Sequence, residues 1–257
     1  MLAAALLLPA VNAAAGAAAI ARTDANSVAA HAQLLQKAHA GRIDLYFLGD
    51  SITRRWGTAD PQYHPLYANW LHNFQGWNAA DFGWGGDTTA NILWRVEHGE
   101  LDGVNPRVIV LLAGTNDLGA ALARHERARD TEQEVVAGIA ALVRSCRARA
   151  PQATLILTAI TPRIDHRELL PLIGRINRHL AGLADGRHVR YLDIGPQLLD
   201  AHGDPHPGML NPDGLHLAVD GYQVWADALT PLLQGLLGPR AATDVAPPPS
   251  RDPGLDH

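Results

Sequence analysis

Between residues 43 and 194, short apolar runs alternate with longer stretches whose apolar residues recur at helical spacing. The runs are Ile43–Leu48 ending at Gly49, the weaker Trp77–Phe82, Val108–Ala113 ending at Gly114, Thr154–Ala159 and Val189–Ile194. Apolar runs of about five or six residues bounded by turn residues read as buried strands. Helical spacing marks Ser27–Ala40, with Ser27 as its cap, and stretches near Thr88–His98, Thr131–Ala150 and His166–Ala184. A last helix is predicted from Val219 to Leu237. Strands alternating with longer helices imply crossover units, and strands without a polar face imply helices on both sides of the sheet. The expected class is therefore α/β, a three-layer α/β/α sandwich around a five-stranded parallel sheet. In such sheets ligands sit beyond the carboxyl ends of the strands. After the first three strands the sequence places Asp50-Ser51, Gly85-Gly86-Asp87 and Gly114-Thr115-Asn116-Asp117.

The two ends read differently from the middle. Leu2 to Val11 is an apolar run followed by Asn12 and many alanines, with no charged residue among the first twenty. This resembles a secretory leader, with small residues suited to cleavage between Ala13 and Ala25, although no Lys or Arg precedes the run. Residues 1–25 are thus an expected signal peptide, and the product is expected to be secreted or periplasmic. Pro9, Asn12 and Gly16 make the same stretch a poor membrane span, so no stable span is expected after processing. Residues 26–238 form the expected single domain. Residues 239–257, with Pro247-Pro248-Pro249 and scattered charges, read as a disordered tail.

Composition narrows the function classes. Hydrophobic residues at 47% and charged residues at 18% fit an ordinary globular chain. A net charge of -5 gives no basic footprint, so no nucleic-acid partner is expected. Cys146 is the single cysteine, which excludes an intrachain disulfide and a thiolate metal cluster. Its helical context reads as a small packed residue.

The chain has four serines, and only Ser51 stands at the carboxyl end of a strand. Such a serine either caps a helix or acts as a nucleophile, and a nucleophilic hydroxyl needs an oriented base. Asp213-Gly214-Leu215-His216 offers a carboxylate and an imidazole across a turn that Gly214 eases. Read alone, the pair could equally be a helix cap and a surface histidine. Acyl transfer also needs donors for an oxyanion, which the Gly86 N–H and the Asn116 amide could supply. Their plain alternatives are a turn and an Asx-type loop bond.

Together, Phe47-Leu48-Gly49-Asp50-Ser51-Ile52-Thr53, Gly83-Trp84-Gly85-Gly86-Asp87-Thr88-Thr89, Gly114-Thr115-Asn116-Asp117 and Asp213-Gly214-Leu215-His216 resemble the GDSL-type, or SGNH, hydrolase family. Ile52 stands where a leucine is usual. The resemblance implies a flavodoxin-like fold with Ser51 as nucleophile, His216 as base and Asp213 orienting it. It implies an oxyanion hole made by the Ser51 and Gly86 N–H groups and the Asn116 side chain, with no metal and no cofactor. Leu93-Trp94-Arg95-Val96, Gly99-Glu100-Leu101 and Asn211-Pro212 are similar to the platelet-activating-factor acetylhydrolase-like acetylesterases within it. The expected activity is removal of short acyl groups, acetyl first, from a small molecule or a carbohydrate. A lipid-directed acylhydrolase and a non-catalytic carbohydrate-binding module on the same fold are the alternatives. The relatives suggest a homodimer and leave the oligomeric state open.

Trp56 and Trp84 flank the Ser51 and Gly86 segments and are expected either to line a substrate pocket or to pack the loops. His202-x-Asp204-x-His206 lies among Pro205, Pro207 and Gly208 and reads as an irregular loop bordering the site rather than a metal site. Tyr63 and His64 are within reach of the rim. Asp50, Asp117 and Asp193 are expected to hold loops.

Overall fold

The computed structural model describes residues 17–256. The apolar run Leu2–Val11 and the start of the expected cleavage window lie outside the described residues. Five strands form the centre: β1 Leu45–Gly49, β2 Ala79–Gly83, β3 Val108–Leu112, β4 Thr154–Thr158 and β5 Val189–Leu192. All pair in parallel, in the order β2-β1-β3-β4-β5. In chain order the helices are α1 Ala25–Ala38, α2 Ser51–Gly57, α3 His64–Phe74, α4 Thr89–Arg95 and α5 Thr115–Ala123. They continue with α6 Ala128–Arg149, α7 Leu170–Ala181, the single turn α8 Gly195–Leu198, and α9 Val219–Leu237. Val96–Glu100 extends α4 by one widened turn.

Alternation along each strand divides the core into two layers. Tyr46 and Leu48 of β1 pack with Leu34 of α1, Ile92 of α4, Ile139 of α6 and Ile176 of α7. Leu45 and Phe47 face the other way, against Trp56 of α2, Phe74 of α3 and Trp225 of α9. The expected five-stranded parallel sandwich is the fold observed.

Three features depart from the sequence reading. Helix α1 starts earlier than expected, because Asp24 rather than Ser27 caps it, its side chain accepting from the Ser27 N–H at 2.9 Å. Ser27 is buried and its Oγ accepts from Trp84 Nε1 at 3.0 Å. Helices α2, α3 and α5 occupy stretches without clear apolar periodicity, two of them too short to show any.

The third departure is the tail. Residues 239–256 follow a defined course across the loops at the amino ends of the strands and across α1 and α2. The Ala241 N–H donates to Gly76 O (2.9 Å), the Val245 N–H to Asn78 Oδ1 (2.9 Å) and the Asp252 N–H to Asp60 Oδ1 (2.8 Å). Ser250 O accepts from the Ala59 N–H, and Ser250 Oγ from the buried Lys37 Nζ. A segment poor in apolar residues has no core of its own. It is ordered by exchanging backbone hydrogen bonds with neighbouring loops, which composition does not reveal.

Candidate active site

The loops that carry the candidate chemistry leave the sheet at one level. Gly49 at the end of β1 is in register with Gly83 of β2 and Leu112 of β3. Strand order reverses around β1, so these ends form the crevice at the topological switch point. Helix α2 starts directly from β1 and presses onto β2. A Cβ on Gly83 would come within 2.4 Å of the Arg54 nitrogen, so only glycine permits that approach. Asp50 caps α2, its Oδ1 accepting from the Ile52 N–H at 2.9 Å. Burial pushes its carboxyl up to about 7, with Asp87 and Asp117 adding to the shift against the opposing Ile52 hydrogen bond. Ser51 is thereby the first residue of α2, half-buried at the crevice.

The Asp213–His216 turn meets it from the other side. Asp213 Oδ1 accepts from the backbone N–H of Leu215 (3.0 Å) and His216 (2.9 Å). Its Oδ2 is left for His216 Nδ1 at 2.8 Å, and His216 Nε2 lies 2.9 Å from Ser51 Oγ. With the ring proton on Nδ1, Nε2 accepts from the serine hydroxyl. Gly214 has a φ of 68°, and a Cβ there would sit 2.8 Å from the Asp165 nitrogen, so the turn requires glycine. Asn211 closes the turn, accepting from the Gly214 N–H and donating through Nδ2 to Leu217 O.

Burial and the nearby Arg55 cation push the His216 pKa below its ordinary value, against the pull of Asp213. Partial burial alone would raise Asp213. The His216 and Leu215 N–H groups and the imidazole outweigh it and hold the carboxylate at about 2. The pair at neutral pH is a neutral imidazole beside an ionised carboxylate.

On the far side of Ser51, Gly86 is exposed with a φ of 79°. Asn116 Nδ2 donates one hydrogen to Asp87 O at 2.9 Å, which fixes the amide and leaves its second N–H to be aimed elsewhere. Asp87 itself is buried against Arg95, whose Nε donates to Asp87 Oδ2 at 2.7 Å. Arg95 also donates to Glu100, to Phe82 O and to Gly49 O, tying together the ends of β1 and β2. Asp117 accepts from the Thr89 N–H and hydroxyl, and Arg163 Nη1 donates to Thr115 O at 2.9 Å. The site is thus a hydroxyl, a base and an acid in line, beside a rigidly held loop pair. That is the equipment for acyl transfer through a serine.

Residues 47–224 match the sequence profile of the GDSL-like lipase/acylhydrolase family. The chain belongs to that family. The acylhydrolase is 32% identical over 213 residues to platelet-activating factor acetylhydrolase IB subunit alpha1 of Bos taurus, a match covering 82% of this chain and 83% of that one. Its fold is similar to that of a GDSL-like lipase from Bacteroides thetaiotaomicron, with a TM-score of 0.62, 18% identity, and 80% and 97% of the two chains covered. It is also similar to a carbohydrate esterase family 3 protein from Talaromyces cellulolyticus, with a TM-score of 0.55, 19% identity, and 76% and 98% covered. Family membership makes the protein an ester hydrolase.

Within this acylhydrolase Trp56 does not line a pocket. It is fully buried, its ring 4.9 Å from those of Phe74 and Tyr222 and 5.0 Å from Trp225, its Nε1 donating to Asn69. Trp56 lies four residues after Ile52, so helical geometry turns both to the core. Trp84 is also buried, fastening the Gly85-Gly86 loop to α1 through Ser27 and bordering a recess with Val28, His31 and Trp94. In the histidine-rich loop, Asp204 pairs with Arg167 at 2.5 Å. No group of three or more potential metal ligands occurs among the described residues. Asp193 Oδ1 holds the Gly195 N–H. Cys146 is buried, its thiol pushed up to about 12 by burial.

The sequence reading missed four arginines. Arg22 donates to Gly85 O and braces the Gly85-Gly86 loop from the segment before α1. Arg55, Arg95 and Arg163 each touch a residue of the loops described above. A charge at an otherwise apolar helix position, as at Arg95 after Leu93 and Trp94, is the one signal the sequence held.

Proposed function

We propose that the protein is a secreted serine-dependent carboxylic ester hydrolase that removes acetyl and other short acyl groups from carbohydrate esters. The observation that carries it is the unbroken line from Ser51 Oγ through His216 to Asp213 Oδ2, with contacts of 2.9 and 2.8 Å. A binding module has no use for that line. The acetyl preference is supported by the named acetylhydrolase relatives. Export is supported by the leader-like run at the start of the chain, with the cut placed ahead of Arg22 and Asp24, which the folded domain uses, and the choice of a carbohydrate rests on that export.

In the proposed reaction Ser51 Oγ attacks the ester carbonyl while His216 Nε2 takes its proton. Negative charge on the former carbonyl oxygen is met by the N–H groups of Ser51 and Gly86 and by Asn116. The intermediate collapses as His216 protonates the departing alcohol, leaving an acyl-serine. Water then attacks, giving its proton to His216, and the acid leaves as the proton returns to Ser51.

Two outcomes follow. Asn116→Ala is expected to lower kcat by about 10²- to 10³-fold with little change in KM, because a donor to the oxyanion acts mainly in the transition state. The second concerns pH. The base must be neutral, so kcat/KM rises as pH rises through the titration of His216. Since that pKa is depressed, the midpoint is expected below the ordinary histidine value of 6.5. A kcat/KM profile with a midpoint above it would contradict the assigned base.

The test of function is hydrolysis of 4-nitrophenyl acetate, butyrate and octanoate, followed by acetylated xylo-oligosaccharides and an acetyl-bearing ether phospholipid, with EDTA present throughout. Rates falling with chain length and acetate released from the sugar support the proposal. Release from the lipid alone would favour the lipid-directed reading, which the 32% identity to the acetylhydrolase subunit recommends as second. No turnover by the folded protein would overturn both.

A further inference from the structure

Arg55 lies four residues after Ser51 in α2, so both side chains leave the helix on one face. Arg55 Nη1 is 3.3 Å from Asp213 Oδ2, the same oxygen that faces His216 Nδ1. Asp213 is unusually open for an acid in this role, its side chain 42% exposed. An open carboxylate–imidazole contact competes with water, and its geometry needs support from elsewhere. Arg55 is suited to give it. Its guanidinium lies 5.3 Å from the Tyr63 ring centroid, so the side chain is seated between an aromatic face and the carboxylate.

We propose that Arg55 is a positioning residue of the esterase, clamping Asp213 to the nucleophile's own helix and placing a standing positive charge beside His216. The inference rests on the acyl-transfer roles proposed for Ser51 and His216. Three charged groups act on that imidazole: Asp213 from its own turn, Asp165 from the segment after β4, and Arg55 from α2. The two carboxylates favour the imidazolium, and Arg55 opposes it alongside burial. Arg55 therefore keeps His216 available as a base at lower pH than two carboxylates would allow. It also holds Asp213 Oδ2 in line with Nδ1 when the imidazolium forms.

The two effects separate in a pair of variants. Arg55→Gln removes the charge and the clamp. Its kcat on 4-nitrophenyl acetate is expected to fall roughly three- to tenfold at the plateau with KM unchanged. The acid limb of its kcat/KM profile is expected to move up by about half a pH unit, the scale of a partly exposed charge pair. Arg55→Lys keeps the charge, so its limb stays with that of the wild type, while its kcat falls because an ammonium does not match the carboxylate as a guanidinium does. A role in packing alone would alter the urea midpoint and leave the limb in place. Coincident limbs for wild type and Arg55→Gln, or a limb for Arg55→Lys that moves as far as that of Arg55→Gln, would overturn the assignment. Ser51→Ala runs alongside. Turnover undiminished in that variant would overturn the serine reading and the clamp with it, whereas serine-dependent turnover with an unmoved limb would overturn the clamp alone.

Discussion

Ser51→Ala is expected to lower turnover of a short ester by about six orders of magnitude and to leave the fold intact. The side-chain partner of Ser51 Oγ is His216 Nε2, and the hydroxyl fills no part of either core layer. The cap of α2 is made by Asp50, not by Ser51, so the helix start survives the change. The urea midpoint should therefore shift by no more than a surface substitution allows, about 0.5 kcal/mol. Hydroxyl and imidazole act as a unit. Ser51→Ala with His216→Ala should consequently be no slower than either single variant, and this non-additivity is the sharper measurement. Additive losses, or a tenth of the wild-type rate surviving in Ser51→Ala, would mean that another group attacks the ester.

The largest effect on stability is expected at Arg95, away from the reacting atoms. Arg95, Asp87 and Glu100 are all buried, and the arginine donates to both carboxylates and to two strand-end carbonyls. Arg95→Leu keeps much of the apolar stem but takes the buried cation from both carboxylates, leaving Asp87 with Arg22 at 3.5 Å and Glu100 with His31 at 3.1 Å. Removing one partner of a buried ion pair costs about 3–5 kcal/mol, because the charge left behind is poorly compensated away from water. Urea unfolding at neutral pH should show a loss of that size. The loss should shrink as pH falls. Burial already pushes the Asp87 carboxyl up, with Arg95 holding it back. Without the arginine the native state of the variant binds a proton at a pH where the unfolded chain does not, so acid favours its folded form. A deficit that grows on acidification would place the missing energy elsewhere. Turnover should drop as well, since Asp87 O positions the Asn116 amide.

The strands and the long helices were legible because apolar runs and helical spacing are what burial on both faces of a sheet demands. The bounds of α9 match the expected Val219–Leu237, and β3 is one residue shorter than its run. The switch point was legible too, since glycine and polar residues after three strands have few other uses. What escaped is what depends on distance through space. Nothing near Asp60 or Gly76 in the sequence announces that the chain's last residues bond to them. The neighbourhood of Trp56 in sequence left a pocket wall and loop packing equally open, and the turn of α2 decides for packing. Two of the bracing arginines were hidden for the same reason. Arg22 reaches Gly85 and Arg163 reaches Thr115 across gaps that no local pattern encodes.

The course of residues 239–256 has a consequence in time. They come after all five strands and α9 in the chain, and they bond to loops around Gly41, Ala59 and Gly76 and to the start of α1, where Asn26 Nδ2 meets Asp252 Oδ1 at 2.9 Å. A growing chain can build β1 to β5 in order, as domains do when they fold from the amino end during synthesis. It cannot seal the seam between α1 and residues 239–256 until that later stretch has left the ribosome. Full stability thus arrives only once residues 239–256 have been made and laid down, and a chain that stops before them is easier to unfold.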